Sequence, residues 1–276
     1  MLPTDETRRL SPDLVAAAVE ADRKEGRRPF AVLANAGTTN TGAVDPLHEL
    51  ARLCGEKGLW LHVDGAYGGF AVLTDRGRTL LEGIGEADSI TLDPHKWLYQ
   101  PYEAGCVLVR QGELLRRAFQ ILPDYLQDAA ASEGEVNFAD LGIQLTRSAR
   151  ALKIWLSLKT FGVDAFREAI DRTLDLALEA QSRIEAAEEF ELLSPAMLGI
   201  VCFRRRFEGV DDEVELEQAN AGLVRLLAES GEGMISSTRL DGRYALRLCV
   251  LNHRSSGADV DRVLRRLAEA PISACM

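Results

Sequence analysis

The sequence has little of what would tie it to nucleic acid, a metal or a membrane. Its 276 residues carry 32 Lys and Arg against 43 Asp and Glu, a net charge of −11. That balance leaves no basic face of the kind that neutralises phosphates, so nucleic acid is not an expected partner. The five cysteines, Cys54, Cys106, Cys202, Cys249 and Cys275, are odd in number and form no C-x-x-C pair. Such usage fits reduced thiols in a cytoplasmic protein and offers no metal site. No apolar run approaches the roughly 18 residues that span a bilayer, and no basic-then-apolar leader opens the chain, so a membrane is not expected either. Repeats and low-complexity tracts are lacking as well. What is there is 46% hydrophobic composition, enough to bury a core in one large domain or two modest ones.

The first half alternates helix and strand. Ser11-Pro12-Asp13 reads as a helix start, with Leu14, Ala18 and Ala21 on the buried face and Gly26 beyond the end. A short apolar strand over 31–34 runs into turn chemistry at 35–42. A helix from Asp45-Pro46 to Gly58 buries Leu47, Leu50, Ala51 and Cys54. Strands follow at 59–63, 89–92 and 106–109. Continuous apolar strands between amphipathic helices predict an α/β layer with largely parallel, buried strands.

The second half changes character. Residues 122–126 lead into a stretch, to about 137, that is poor in large apolar groups and reads as a mobile loop. A helix is expected from residue 138 or 139 to 161, with Leu145, Leu152, Trp155 and Leu156 inward and Gly162 ending it. Another follows from 164 to 188 on Phe166, Ile170, Leu174, Ala177 and Ile184. An α+β pattern then comprises a strand at 199–203, a helix over 211–231, a hairpin turning at Leu240-Asp-Gly242 and a final helix over 258–270. Arg247 sits in the otherwise apolar second hairpin strand, which is costly unless it is paired.

Ligands of parallel sheets sit beyond the carboxyl ends of the strands. That rule gathers Thr38 and Thr39, Asp64, and His95 with Lys96 on one rim, because each set follows a successive strand. A lysine, a carboxylate, a histidine and hydroxyls meet the needs of pyridoxal phosphate: an amine for a Schiff base, an anion for the pyridinium nitrogen, and donors for the phosphate. Each residue alone has a plainer reading. Lys96 could be solvated, Asp64 a helix cap, and His95 a satisfied loop residue.

The segments Asn35-Ala-Gly-Thr-Thr-Asn-Thr-Gly-Ala-Val-Asp45, Leu61-His-Val-Asp-Gly-Ala-Tyr-Gly-Gly69 and Asp93-Pro-His-Lys-Trp97 resemble the group II pyridoxal-phosphate-dependent amino-acid decarboxylases, the aromatic-L-amino-acid and glutamate decarboxylase type. The resemblance implies fold type I, as in aspartate aminotransferase, and a homodimer acting on a small-molecule amino-acid substrate. It implies that Lys96 is the Schiff-base lysine, Asp64 the pyridinium partner, and Ala66 a residue packed on the ring. Thr39 and His95 fall beside the cofactor, and Asp93 stands where animal aromatic decarboxylases have asparagine, near the phosphate. Tyr125 matches the mobile-loop tyrosine that in the family protonates Cα of the quinonoid intermediate formed when carbon dioxide departs. Phenylalanine at that place goes with aldehyde-forming relatives. Arg247 matches an arginine that contacts substrate carboxylate in the glutamate enzymes, although a structural ion pair serves equally.

Residues 1–155 are thereby expected to form the C-terminal part of the large cofactor-binding domain, with the mobile loop at about 123–137, and 156–276 a small α+β domain. Family members carry a long region before the position of Leu2. The chain is therefore expected to be the C-terminal portion of such an enzyme, or else a non-catalytic or incomplete subunit completed by another chain, with a sheet edge and an apolar face left open. Aromatic substrates are favoured by the resemblance, with glutamate, aspartate or cysteine sulfinate as the other class.

Overall fold

The computed structural model describes residues 2–121 and 136–275. The expected loop over 123–137 therefore lies, except for its last two residues, outside the described residues. Two four-stranded sheets organise the rest. The first half contains α1 (Pro12–Lys24), β1 (Ala31–Asn35), α2 (Leu47–Lys57), β2 (Trp60–Asp64), α3 (Asp75–Leu80), β3 (Ser89–Leu92) and β4 (Cys106–Val109). Its sheet has the order β1-β2-β3-β4, with the first three strands parallel and β4 antiparallel to β3. After α4 (Glu113–Phe119) and α5 (Arg150–Ala186), the strands β5 (Phe190–Met197), β6 (Ile200–Arg205), β7 (Ser236–Leu240) and β8 (Arg243–Cys249) form an antiparallel sheet. Its order is β5-β6-β8-β7, and α6 (Glu213–Ser230) and α7 (Gly257–Glu269) complete the chain.

Local chemistry sets most boundaries. Ser11 caps α1 by accepting from Leu14 N, with Pro12 in the first turn. The β7–β8 hairpin turns on Asp241 (φ 52°) and Gly242 (φ 81°), the paired positive φ values that a two-residue hairpin of matching twist requires. Ser256 and Asp259 form a capping box at the start of α7.

One face of the first sheet is core. Val32, Ala34, Leu61 and Val63 are buried against Leu47, Leu50, Leu53 and Cys54 of α2. The other face is open among the described residues: Leu33 is 68% and Val107 54% exposed. Its strands therefore alternate instead of being buried on both faces. The second sheet joins the same core through Ile200, Cys202 and Ala245, with Tyr67 and Ile170 between the two.

Three expectations are corrected. In α1 the buried residues are Val15 and Val19, whereas Leu14 is exposed, because α1 packs on α2 along the valine row. The helix expected from 138 begins at Arg150, after a 3-10 turn at Phe138–Leu141, and Leu145, Leu152, Trp155 and Leu156 are all exposed. Its continuation beyond Gly162 does bury Phe166, Ile170, Leu174, Ala177 and Ile184 as expected. Strand β5 is an addition.

Candidate active site

The register aligns Asn35, Asp64 and Thr91 across β1, β2 and β3 at their carboxyl ends. Three connecting segments continue from that end. Residues 38–43 are folded on themselves, with the Thr38 and Thr41 hydroxyls 3.0 Å apart and Ala43 N donating to Thr38 Oγ1 at 3.1 Å. Thr39 projects from this turn, exposed. Buried Asp45 pins the turn's base, accepting from Asn35 N and Leu10 N at 2.7 Å each.

Asp64 is the last residue of β2 and is exposed. Its Oδ1 accepts from Ala66 N at 3.0 Å, which orients the carboxylate at the strand end. Gly65 crosses close to β3: a Cβ there would meet Thr91 O at 3.1 Å. Behind Asp64 on the same face, His62 lies between Ser89 Oγ (2.8 Å from Nδ1) and Thr91 Oγ1 (3.1 Å from Nε2), and Trp60 Nε1 donates to Ser89 Oγ at 2.8 Å. Sequence reading did not single out His62. The alternation Trp60, His62, Asp64 was the available signal.

The third segment leaves β3 as a turn closed by Lys96 N donating to Asp93 O at 2.9 Å. Lys96 is exposed, and its Nζ lies 2.7 Å from Asp93 Oδ2. His95 Nδ1 lies 2.7 Å from Ala104 O, and its ring meets Tyr102 edge-on at 5.0 Å. Trp97 is fully buried, stacks on Tyr67 at 5.2 Å and donates to Thr173 Oγ1 at 3.1 Å. The Tyr67 hydroxyl in turn accepts from Gly199 N at 2.9 Å. The Asp64 and Lys96 segments are thus locked to each other and to the second sheet by an aromatic pair. Burial pushes the Tyr67 phenol well above its ordinary pKa.

Arg247 enters from the second sheet, opposite Cys202 in register. Cys202 Sγ donates to Asn40 O at 3.3 Å, which brings that strand pair against the turn bearing Thr39. Arg247 Nη1 donates to Ser236 Oγ at 3.0 Å, and its buried Nε has no partner among the described residues. Tyr125 lies outside the described residues. Among the described residues, no group of three His, Cys, Asp or Glu is placed to hold a metal ion, and no helix is long and apolar enough to cross a membrane.

An amine and a carboxylate at neighbouring ends of a parallel sheet, both open to solvent, form a donor set suited to an aldehyde cofactor with a basic ring. Comparison with known proteins agrees. Residues 1–206 match the family described as the pyridoxal-dependent decarboxylase conserved domain, and the chain belongs to that family. It is 43% identical over 267 residues to an aromatic-L-amino-acid decarboxylase of Bacillus atrophaeus, covering 96% of this chain and 56% of that protein. A phenylacetaldehyde synthase of Petunia hybrida is 33% identical over 249 residues, 87% of this chain and 49% of that one. Among solved structures, Oryza sativa TDC with PLP and tryptamine superposes with a TM-score of 0.89 at 30% identity, over 97% of this chain and 56% of that one. Mouse CSAD gives 0.88 at 31% identity, over 96% and 56%. The architecture is that of fold type I, and the chain spans about half the length of the curated relatives it matches.

Proposed function

We propose that this chain carries the cofactor-attachment half of a pyridoxal-phosphate-dependent amino-acid decarboxylase. The observation that carries the reading is that Asp64 ends β2 while Lys96 stands in the turn that follows the neighbouring parallel strand β3, on the same rim. When bound, the cofactor supplies an electron sink for the pair left on a substrate's Cα as carbon dioxide departs. Lys96 contributes the amine that attaches the aldehyde covalently. Asp64, oriented by Ala66 N, would serve as the carboxylate partner of the cofactor's ring nitrogen and favour its protonated form. Ala66, Thr39, His95 and Asp93 would complete the set of residues that hold the cofactor, with the Thr39 hydroxyl and the His95 ring as polar contacts for it. Tyr125 delivers a proton to substrate Cα and, with its neighbours, excludes water.

Residues 1–155 hold the cofactor in this reading and residues 156–276 contribute Arg247. The relatives' names favour aromatic substrates. One observation favours the acidic class: the buried Nε of Arg247, on the strand pair that touches the Thr39 turn, has no partner among the described residues and would suit a second carboxylate. A homodimer belongs to the same reading and rests on the family resemblance, while a cytoplasmic location rests on the scattered, unpaired cysteines.

The test is reductive trapping. The chain is incubated with pyridoxal phosphate, reduced with borohydride and mapped by peptide mass. The adduct is expected on Lys96 and lost in Lys96→Ala. Labelling spread over other lysines, with Lys96 unmodified, would falsify the assignment. Carbon dioxide release from aromatic against acidic amino acids, with Arg247→Ala alongside, then separates the substrate classes.

A further inference from the structure

The sharpest contact on the rim lies within the lysine-bearing turn itself. Asp93 follows the last residue of β3, Pro94 restricts the next φ, and the 2.9 Å bond from Lys96 N to Asp93 O closes the turn. Residues three apart in such a turn project to one side, and the Lys96 ammonium meets Asp93 Oδ2 at 2.7 Å. The Asp93 side chain is only 18% exposed, so water competes weakly for its carboxylate. His95 does not take it: Nε2 stands 3.9 Å from the same oxygen. Nδ1 of the same ring faces the other way, onto the Ala104 peptide, 2.7 Å from Ala104 O and 3.1 Å from Ala104 N. Among the described residues, Lys96 thus makes the one short contact from a basic side chain to Asp93.

We propose that Asp93 is a positioning residue that docks the free ammonium of Lys96 and must release it before the lysine reacts. The proposal rests on the role of Lys96 given above and deepens it. An ammonium has no lone pair with which to attack a carbonyl. For Lys96 to attach the cofactor, it leaves Asp93 and gives one proton to water. Its nitrogen then bonds the aldehyde carbon, and the aldehyde oxygen departs as water. When the lysine is freed again, Asp93 is the anion waiting for it, three residues away. Asparagine at this place would keep the turn and remove the dock.

The experiment reads the amine directly, with no requirement for a loaded enzyme. Lys96 in the purified 276-residue chain is acetylated with limiting acetic anhydride, and its rate is compared by peptide mass with that of Lys159, an exposed lysine of α5. A partly exposed ion pair of this kind predicts that Asp93→Asn raises the Lys96 rate roughly two- to five-fold relative to Lys159, while Asp93→Glu stays near wild type. Sodium chloride at about 1 M should raise the wild-type Lys96 rate and leave Asp93→Asn unchanged, because salt screens the pair. Equal rates in wild type and Asp93→Asn, with no response to salt, overturn the proposal. If Asp93→Asn does not fold, the salt response of the wild type alone decides. Borohydride trapping with pyridoxal phosphate on the same samples separates the two readings. Acetylation that responds while pyridoxal phosphate never labels Lys96 removes the cofactor role and keeps the dock. Trapping at Lys96 with unresponsive acetylation does the reverse.

Discussion

Tyr67→Phe isolates one atom that ties the rim to the second sheet. The tyrosine ring is 7% exposed and stacked on Trp97, and phenylalanine preserves both the ring volume and the stack. What is lost is the hydroxyl that accepts from Gly199 N at 2.9 Å. Gly199 is buried, and a Cβ there would lie 2.5 Å from Val250 O, so the backbone is too confined to admit a replacement partner easily. An orphaned buried donor costs about 1–3 kcal/mol. With an unfolding slope of about 3 kcal/mol/M, the urea midpoint should fall by roughly 0.3–1 M with the slope unchanged. There is also a signature in pH. Burial raises the folded pKa of this phenol above its unfolded value near 10, so the unfolded chain sheds the proton first. The corresponding stability is whole below about pH 10 and declines as pH climbs towards the folded pKa. Tyr67→Phe should therefore flatten part of the alkaline loss of stability, read by urea titrations at pH 8 and pH 11. An unchanged midpoint at pH 8 together with an unchanged alkaline slope would refute the assignment of that hydroxyl as the tie.

Two further outcomes test the frame around the site. In the second sheet, burial pushes the Glu191 carboxyl up, but hydrogen bonds from Arg243 and Arg204 outweigh it and hold the group below the usual range. Its contribution is thus whole above the unfolded value near 4.3 and fades as pH falls through the folded one. Glu191→Gln should cost about 1–2 kcal/mol at pH 7 and little at pH 3; thermal melts showing the same loss at both values would contradict this. Gly162 breaks α5 at φ 77° and ψ 158°, a conformation nearly confined to glycine, with open space where a Cβ would stand. Gly162→Ala should then lower stability by about 1–3 kcal/mol through backbone strain alone, and an unaltered melting temperature would show that the break is not required.

Local signals made much of the fold readable in advance. Strands β3 and β4, the hairpin at Asp241-Gly242 and the break at Gly162 were all legible because their causes lie within a few residues. Strand β5 was not, because it contains Ser194-Pro195, a pair that reads as a loop. The structure accommodates Pro195 by placing β5 at the sheet edge, where register shifts flank Ser194 and a missing N–H breaks no ladder. The α1 face was misread for a different reason. Its sequence offers two apolar rows, one on Leu14 and one on Val15, and only the packing partner α2 chooses between them.

The rows at Leu152, Trp155 and Leu156, and at Leu33 and Val107, expose a more general limit. Periodicity reports that a face is apolar; it does not say what covers it. These rows were read as inward, or as parts of fully buried strands, yet among the described residues they face outward. The candidate site behaves in the opposite way. That Asp64, His95 and Lys96 follow successive strands is legible by counting strand ends, because a parallel sheet delivers every connection to one rim whatever the side chains do next. That count could not say which groups touch. Asp93 was expected near the phosphate as one more carboxylate, and only the turn geometry joins it to the Lys96 ammonium. The Tyr67–Trp97 stack was equally hidden, since it links two connections about 30 residues apart in sequence. Position along the chain therefore identifies candidates for this chemistry, while the folded turns decide which of them touch: Asp93, not Asp64, meets Lys96.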